Sequence, residues 1–286
     1  MRAKVITDSG TGLSKHKANE LGLDFLPLQV IVDDKVYLDG VDLNIDTLYD
    51  TLEEGNMPQT SLPPLGEIED LLESYNEEGI SDIVLITLSN GLSSTNTTVQ
   101  AAAKRHDINV HTLDLFTTLA VENYCALKAQ ELLEHGKDPK EIVALLKEAI
   151  ENSSGYLIPN DLDHLAKGGR LTPMAAKLGG LLKIKPILEV SKNTEGKVGV
   201  YEKVRTQNKA IKKAVEKIAE DVPNGEDYVF FTVNSRNEEG AKLAEAELKE
   251  KFGSNIDIRH HPMFAVIASH TGMGAVGIQY IKKVQD

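Results

Sequence analysis

The 286-residue chain is long enough for two domains, and its 41% hydrophobic and 26% charged residues are typical of a globular protein that folds without a metal or disulfide. Its net charge of −13 argues against a nucleic-acid partner, because binding phosphates takes a basic face, and no apolar segment approaches the ~20 residues of a membrane span. The single cysteine, Cys125, excludes a disulfide within the chain, so we expect a protein of the reducing cytoplasm. With nucleic acid and a membrane span disfavoured, we expect a ligand that is small or apolar.

The first half of the chain alternates short apolar runs with amphipathic segments. The runs are rich in Val, Ile and Leu, which favours strands, and strands that alternate with helices predict parallel pairing through right-handed crossovers. The sequence therefore predicts an α/β/α domain with a parallel sheet over residues 1–154. The predicted strands are Lys4–Thr7, Phe25–Val32, Asp82–Leu88 and Asn109–Leu113, and the predicted helices are Ile45–Glu54, Leu65–Glu78, Thr97–Arg105 and Thr117–Glu134.

The helix predicted over Pro139–Ile150 has the clearest end signals. Asp138 is its expected N-cap, Pro139 suits its first turn, and Glu141 is placed to complete a capping box. A polar, glycine-terminated segment follows at residues 151–155, and we place the domain boundary there.

The second half combines many short apolar runs with only two long amphipathic segments. Two helices cannot cover both faces of a sheet of five or six strands, so we expect a two-layer α/β domain with a mixed sheet over residues 155–286. The predicted strands are Gly155–Ile158, Lys185–Val190, Gly199–Val204, Tyr228–Val233, Ile256–Arg259 and Ala265–Ser269, and the predicted helices are Thr206–Ala219 and Asn237–Phe252.

Two adjacent hydroxyls lie between prolines near residue 60. Pro58 and Pro63 restrict the backbone on either side of Thr60 and Ser61, so the two hydroxyls are held at a low cost in entropy. These residues are candidates for ligand contact. The alternative is that they only cap the helix predicted over Leu65–Glu78.

A second hydroxyl-rich segment, residues 87–95, lies between a predicted strand and a predicted helix. Ligands of open α/β sheets bind beyond the carboxyl ends of the strands, and a helix N-terminus adds unpaired N–H groups and a partial positive charge. The segment therefore suits one carboxylate or phosphate. Either Ser93 or Ser94 is needed as the helix cap, which leaves the other hydroxyls for a ligand.

Two glycine-rich segments complete the set of candidates. In Lys167-Gly168-Gly169-Arg170, the glycines between two cations let the backbone approach a ligand, or simply form a turn with solvated charges. Residues 269–277 match a dinucleotide fingerprint only in outline, so nucleotide binding is rejected. His270, at the end of a predicted strand and beside a flexible turn, is the best histidine candidate for a ligand contact; a structural role is the alternative.

The sequence lacks the common signatures of catalysis. It has no Walker loop, no His/Cys set with zinc spacing and no Gly-x-Ser-x-Gly elbow. We therefore expect no metal, no cofactor and no catalytic residue.

In order and spacing, these segments resemble the DegV family of fatty-acid-binding proteins over residues 8–277. Each motif alone is weakly specific, but their succession along nearly the whole chain is strongly specific. One family feature is replaced: the Asp-Ser and glycine-rich helix start after the fourth strand reads Asp114-Leu115-Phe116-Thr117-Thr118 here. The matching segments are Asp8-Ser9, Pro27–Val30, Thr60-Ser61 with Leu62-Pro63 in place of Gln-Pro, Leu92–Thr95 with Ser94 in place of glycine, Lys167–Arg170, Ile184–Leu188, and His270–Gly274 with Met273 in place of proline.

The resemblance implies two α/β domains with a long-chain fatty acid between them. Carried over by position, Thr60 and Ser93 are the carboxylate-binding hydroxyls, with Ser61 and Ser94 beside them, and His270 lies near the head group. Some members deliver the bound acid to a separate fatty acid kinase, which makes acyl phosphate for phospholipid synthesis. Such a protein is a carrier and catalyses nothing alone.

Three basic residues in loops of this acidic protein are candidates for contact with a phosphate or with the kinase. They are Lys167, Arg170 and Arg205. The alternative to a carrier is an enzyme: a stand-alone phosphotransferase or acyl-phosphate hydrolase related to dihydroxyacetone kinases. It would need a metal–carboxylate cluster or a nucleophile paired with a base, which Asp8, Ser93 and His270 provide only if they meet in space.

Overall fold

The computed structural model describes residues 2–177 and 184–285, which form three sheets with helices around them. The strands are β1 Ala3–Asp8, β2 Asp24–Leu26, β3 Gln29–Val32, β4 Lys35–Leu38, β5 Gln59–Ser61, β6 Asp82–Ile86, β7 Asn109–Thr112, β8 Ser153–Ile158, β9 Lys185–Val190, β10 Val198–Val204, β11 Tyr228–Asn234, β12 Asp257–Pro262 and β13 Val276–Lys282. The helices are α1 Lys15–Glu20, α2 Ile45–Glu53, α3 Leu65–Glu78, α4 Thr95–Arg105, α5 Ala120–Glu134, α6 Pro139–Ile150, α7 Leu162–Lys167, α8 Pro173–Ala176, α9 Gln207–Asp221, α10 Glu238–Phe252 and α11 Ala265–Thr271.

The first sheet is parallel and has the strand order β2-β1-β6-β7. Successive side chains of β6 point to opposite faces, and both faces are buried. Ile83 and Leu85 pack with α3 and α4, whereas Val84 and Ile86 share a core with α5 and α6. Helices on both faces of a parallel sheet confirm the predicted α/β/α layering.

The strand predicted over Phe25–Val32 is wrong, because this run is divided between two sheets. β2 ends at Leu26, and β3 begins at Gln29 in a small antiparallel sheet of order β4-β3-β5. Pro27 separates the two strands, since a proline has no N–H to give to a sheet ladder. The three-residue strand β5, too short for a recognisable pattern, carries Thr60.

The six-stranded sheet has the order β10-β9-β8-β13-β11-β12 and is mixed, as predicted. β11 and β12 are parallel, and the other neighbours are antiparallel. α9 and α10 cover one face. On the other face Val229, Phe231 and Val233 join the core that contains α5 and α6. These two helices therefore lie between the sheets and are packed against both. The division into 1–154 and 155–286 stays a prediction.

The apolar run 265–269 is a helix, and the prediction of a strand there is wrong. A short apolar run fits either structure by periodicity alone. Here the buried Asp39 carboxylate decides, because it accepts from the Val266 N–H at 2.9 Å in the first turn of α11. The glycine-rich stretch after it leads into the unpredicted strand β13, which lies inside the six-stranded sheet.

The helix ends were predicted more accurately than the short strands. α3 and α6 have the predicted bounds, and Asp138 caps α6 by accepting from the Lys140 N–H at 2.9 Å. The expected capping box is wrong, since the Glu141 carboxylate pairs with Lys137 at 3.1 Å instead. Among the helices of the described ranges, none is long and apolar enough to cross a membrane.

Candidate functional site

A cavity of about 370 Å³ lies where the loops of the parallel sheet meet the six-stranded sheet. Its size is within the range of sites for small molecules, about 300–1,000 Å³. Aliphatic side chains from both halves of the chain form much of its wall, among them Leu28, Leu88, Leu92, Val190, Val198 and Val266. Such a wall suits an apolar ligand, because the ligand and the wall both leave water on binding.

The residues predicted as head-group contacts are brought together at this cavity. Thr60, Ser61, Ser93, Ser94 and His270 all line it, although they come from three separate parts of the chain: β5, the loop before α4, and α11. Of the three predicted basic residues, only Arg170 lines the cavity; Lys167, at the end of α7, and Arg205, just before α9, are exposed side chains outside it.

Thr60 and His270 form a direct contact. Thr60 Oγ1 lies 2.8 Å from His270 Nε2, which joins β5 to α11 across 210 positions of the chain. The alternative role for this segment, capping the helix that begins at Leu65, is wrong. The N-cap of α3 is Pro64, which makes no side-chain capping bond, and Thr60 and Ser61 lie in strand β5 before it. The position predicted for His270, at the end of a strand, is also wrong, because the residue lies in the last turn of α11.

His270 is a neutral imidazole in this setting. Burial lowers its pKa to about 4, and the nearby charges of Arg170 and His164 act in the same direction. Among the residues that the structure describes, its buried Nδ1 has no hydrogen-bond partner, and a hydrogen there would be an unpaired donor. The favourable tautomer therefore has the hydrogen on Nε2, which donates to Thr60 Oγ1. The hydroxyl hydrogen of Thr60 is then free to donate to a ligand.

Gly168 allows the predicted Lys167–Arg170 segment to pack against this imidazole. A Cβ added at Gly168 would lie 2.7 Å from His270 Nδ1, which is closer than such atoms approach. Arg170 turns back through a 2.8 Å bond from its Nη1 to the Gly168 carbonyl and is half-buried at the cavity wall. The segment thus holds His270 in place and supplies a positive charge beside it.

Ser93 and Ser94 divide the roles expected of them. Ser94 is the N-cap residue of α4, but its side chain makes no capping bond and is exposed. Ser93 Oγ accepts from the Thr95 N–H at 3.2 Å and lies 2.8 Å from Thr95 Oγ1. When Thr95 is the donor in that second contact, the hydroxyl hydrogen of Ser93 can point to a ligand.

Asp8 and Ser9 form a buried turn away from the cavity wall. Asp8 accepts from the Gly10 N–H at 2.7 Å, and burial raises its pKa to about 6. Burial and the neighbouring Asp8 raise the pKa of the Glu122 carboxyl as well. Asp8, Ser93 and His270 therefore have separate partners, and they do not form a nucleophile with its base.

Sequence reasoning missed several polar residues of the cavity wall, among them Thr117, Thr118 and Gln279. Helix α5 begins at Ala120, so the two threonines precede it instead of lying within it as predicted. The two hydroxyls after a predicted strand were an available signal. For Gln279 no local signal existed, because its strand was not predicted.

Comparisons with known proteins identify the family and the fold of this chain. The family model described as "Uncharacterised protein, DegV family" matches residues 2–283. A DegV domain-containing protein of Streptococcus pyogenes serotype M1 is 34% identical over 278 residues, which cover 96% of this chain and 97% of the relative.

Two crystal structures show the same fold. One is a fatty acid binding DegV family protein from Streptococcus agalactiae, with a TM-score of 0.88, 33% identity and 99% of both chains covered. The other is DegV, a fatty acid binding protein from Bacillus subtilis, with a TM-score of 0.86 and 32% identity over 99% of this chain and 100% of that one. By the family match and by these relatives, this chain belongs to the DegV family.

Proposed function

We propose that this protein binds a long-chain fatty acid, with the carboxylate at Thr60 and Ser93 and the tail along the aliphatic wall of the cavity. The observation that carries the proposal is the composition of this one cavity. Apolar side chains from both halves of the chain form much of its wall, and hydroxyl groups from separate parts of the chain meet at it. The relatives from Streptococcus agalactiae and Bacillus subtilis, described as fatty acid binding, support the same ligand.

The tail provides most of the affinity in this proposal. Each buried methylene contributes about 0.8 kcal/mol, so a sixteen-carbon chain contributes on the order of 10 kcal/mol before the cost of association. Leu88, Leu92 and Val266 are examples of the side chains that would cover it. A short acid such as butyrate gains too little from the same wall to bind.

The head-group contacts select the carboxylate. Thr60 donates its hydroxyl hydrogen because the neutral His270 already donates to its oxygen. A hydrogen bond to an ionised acceptor is about twice as strong as one between neutral groups, so Thr60 and Ser93 favour the acid over an ester or alcohol. The half-buried Arg170 adds a positive charge at the same wall.

We further propose that the protein is a carrier which presents the bound acid to a fatty acid kinase. Arg170 at the cavity, with the exposed Lys167 and Arg205, would face the head group or the kinase and favour phosphate once acyl phosphate forms. A stand-alone phosphotransferase or hydrolase is less well supported, because the Ser93 and His270 side chains contact Thr95 and Thr60 and not each other.

Native mass spectrometry of the purified protein tests the proposal. We expect a bound species with the mass of a long-chain fatty acid, which organic extraction removes and palmitate restores. Protein that carries no acid and takes up neither palmitate nor oleate after extraction would refute it. Acyl phosphate formed from ATP by this protein alone would instead support the enzyme.

A further inference from the structure

A buried carboxamide connects the six-stranded sheet to the segment before α5 at the wall of the cavity. Gln279 lies on β13 and is only 5% exposed. Its amide nitrogen donates to Thr117 Oγ1 at 3.0 Å and to the Thr118 carbonyl at 2.9 Å, and its amide oxygen accepts from the Ala120 N–H at 3.0 Å. The paired residue on β8 is Gly155, where a Cβ would lie 3.2 Å from this nitrogen. The glycine therefore leaves room for the carboxamide.

These contacts fix the direction of the Thr117 hydroxyl. The Ala120 N–H can only donate and the Thr118 carbonyl can only accept, so the carboxamide has one possible orientation. Because the amide nitrogen can only donate, Thr117 Oγ1 must be the acceptor. Within residues 2–177 and 184–285, the hydroxyl hydrogen of Thr117 has no acceptor of its own. Because Thr117 lines the cavity at 2% exposure, a ligand oxygen can be that acceptor.

The segment that presents Thr117 has a backbone that needs support. Phe116 and Leu119 have φ angles of 53° and 60°, in the left-handed region that is unfavourable for residues with a Cβ. The Leu119 N–H is held by the Gly10 carbonyl at 3.0 Å. Gln279 bonds to the residues on both sides of Leu119, so this side chain fixes the segment to the six-stranded sheet.

Thr117 lies beside the loop that carries Ser93. The Ser89 N–H donates to the Thr117 carbonyl at 2.8 Å, and the Ser89 carbonyl accepts from the Ser93 N–H at 3.1 Å. The two loops follow β6 and β7, which are neighbours in the parallel sheet. Thr117 is therefore on the same edge of the sheet as Ser93.

We propose that Gln279 is a positioning residue for the ligand carboxylate, and that it presents the Thr117 hydroxyl as a third donor beside Thr60 and Ser93. This proposal rests on the proposed fatty-acid binding. It implies that recognition of the acid depends on the six-stranded sheet as well as on the loops of the parallel sheet. The third donor is in place only while β13 holds the segment that carries Thr117.

The test compares Thr117→Val, Thr117→Ser and Gln279→Met, with palmitate and hexadecanol as probes of delipidated protein. Thr117→Val and Gln279→Met should each weaken palmitate binding about tenfold and hexadecanol binding less than about threefold, since only palmitate offers an ionised acceptor. Thr117→Ser should bind palmitate like the wild type. The double variant should bind it no more weakly than the weaker single variant, because both changes remove one donor.

Gln207→Met is the matched control. The Gln207 carboxamide also links distant segments, donating to the Gly274 carbonyl at 2.8 Å and accepting from Asn237 at 3.0 Å, but it does not line the cavity. This variant should melt at a lower temperature and bind palmitate with wild-type affinity. If Gln279→Met does not fold, Thr117→Val and Thr117→Ser still decide whether Thr117 is the third donor, on which the role of Gln279 depends.

Unchanged palmitate affinity in Thr117→Val would overturn this inference and leave the proposed function standing. Equal weakening of palmitate and hexadecanol would overturn it as well, because it would show a general change of cavity shape. A wild-type protein that binds neither probe would refute the proposed function itself.

Discussion

Gly168→Ala places one methyl group against the imidazole of His270. Its Cβ would lie 2.7 Å from Nδ1, and Gly168 has a φ of −66°, so the backbone itself accepts alanine without strain. The added methyl group and the buried ring cannot both keep their positions, and we expect a shift of the ring, which loosens its 2.8 Å contact with Thr60. Overpacking of this kind costs about 1–3 kcal/mol of the free energy of unfolding. At roughly 2–4 °C for each kcal/mol, the melting temperature should fall by several degrees.

The same substitution should weaken palmitate binding by several-fold, because Thr60 then loses the donor that directs its hydroxyl to the ligand. Gly169→Ala is the matched control. It has open space around it but a φ of +73°, so it costs stability through the backbone and leaves His270 untouched. Calorimetric titration of both variants after delipidation separates the effects. Gly168→Ala with the palmitate affinity of Gly169→Ala would show that the contact of His270 with Thr60 plays no part in binding.

Four other expectations can be measured on the same material. Ser93→Ala should weaken palmitate binding several-fold with little change in melting temperature, and an unchanged dissociation constant would contradict its role. Arg170→Glu should impair kinase-dependent acyl phosphate formation more than it impairs palmitate binding, whereas equal losses would indicate misfolding or a direct carboxylate contact. The pKa of His270 is about 4 in the folded protein and 6.5 for an ordinary histidine, so its contribution to stability is lost as the pH falls from 6.5 to 4. The melting temperature of the wild type should therefore fall more steeply over this range than that of His270→Gln. Delipidation should lower the melting temperature by several degrees, about 2.7 kcal/mol of stabilisation being expected at a hundredfold excess of ligand over Kd, and palmitate but not butyrate should restore it.

The elements that the sequence predicted well are those whose signals are local and repeated. α3, α6 and β9 have the predicted bounds, since their apolar spacing and end residues are complete within the segment. α11 could not be recognised in the same way. Its first turn is capped by Asp39, a residue 227 positions away. A pattern of four apolar residues, Ala265–Ala268, contains no information about that distant carboxylate.

In the candidate site, too, the residues could be predicted from local sequence, but their contacts could not. Thr60, Ser93 and His270 were identified as candidates because hydroxyls and a histidine stand out beside prolines, glycines and helix starts. The contact between Thr60 and His270 depends on how β5 and α11 pack, which no spacing along the chain expresses. Gln279 was missed for a related reason: it reads as one polar residue among apolar ones, and its importance follows only from the segment it meets.

The cavity belongs to neither half of the chain alone, so its shape depends on how closely the halves approach. Gly91, in the loop before α4, shows how close this approach is: a Cβ there would lie 2.5 Å from the carbonyl of Glu195, in the turn after β9. Any side chain at residue 91 would push this turn away, together with β9 and the wall residue Val190. Affinity for the tail should therefore respond to changes at Gly91, although this residue needs no contact with the ligand. The aliphatic wall provides the attraction, and the packing of the two halves decides how much of a chain it can cover.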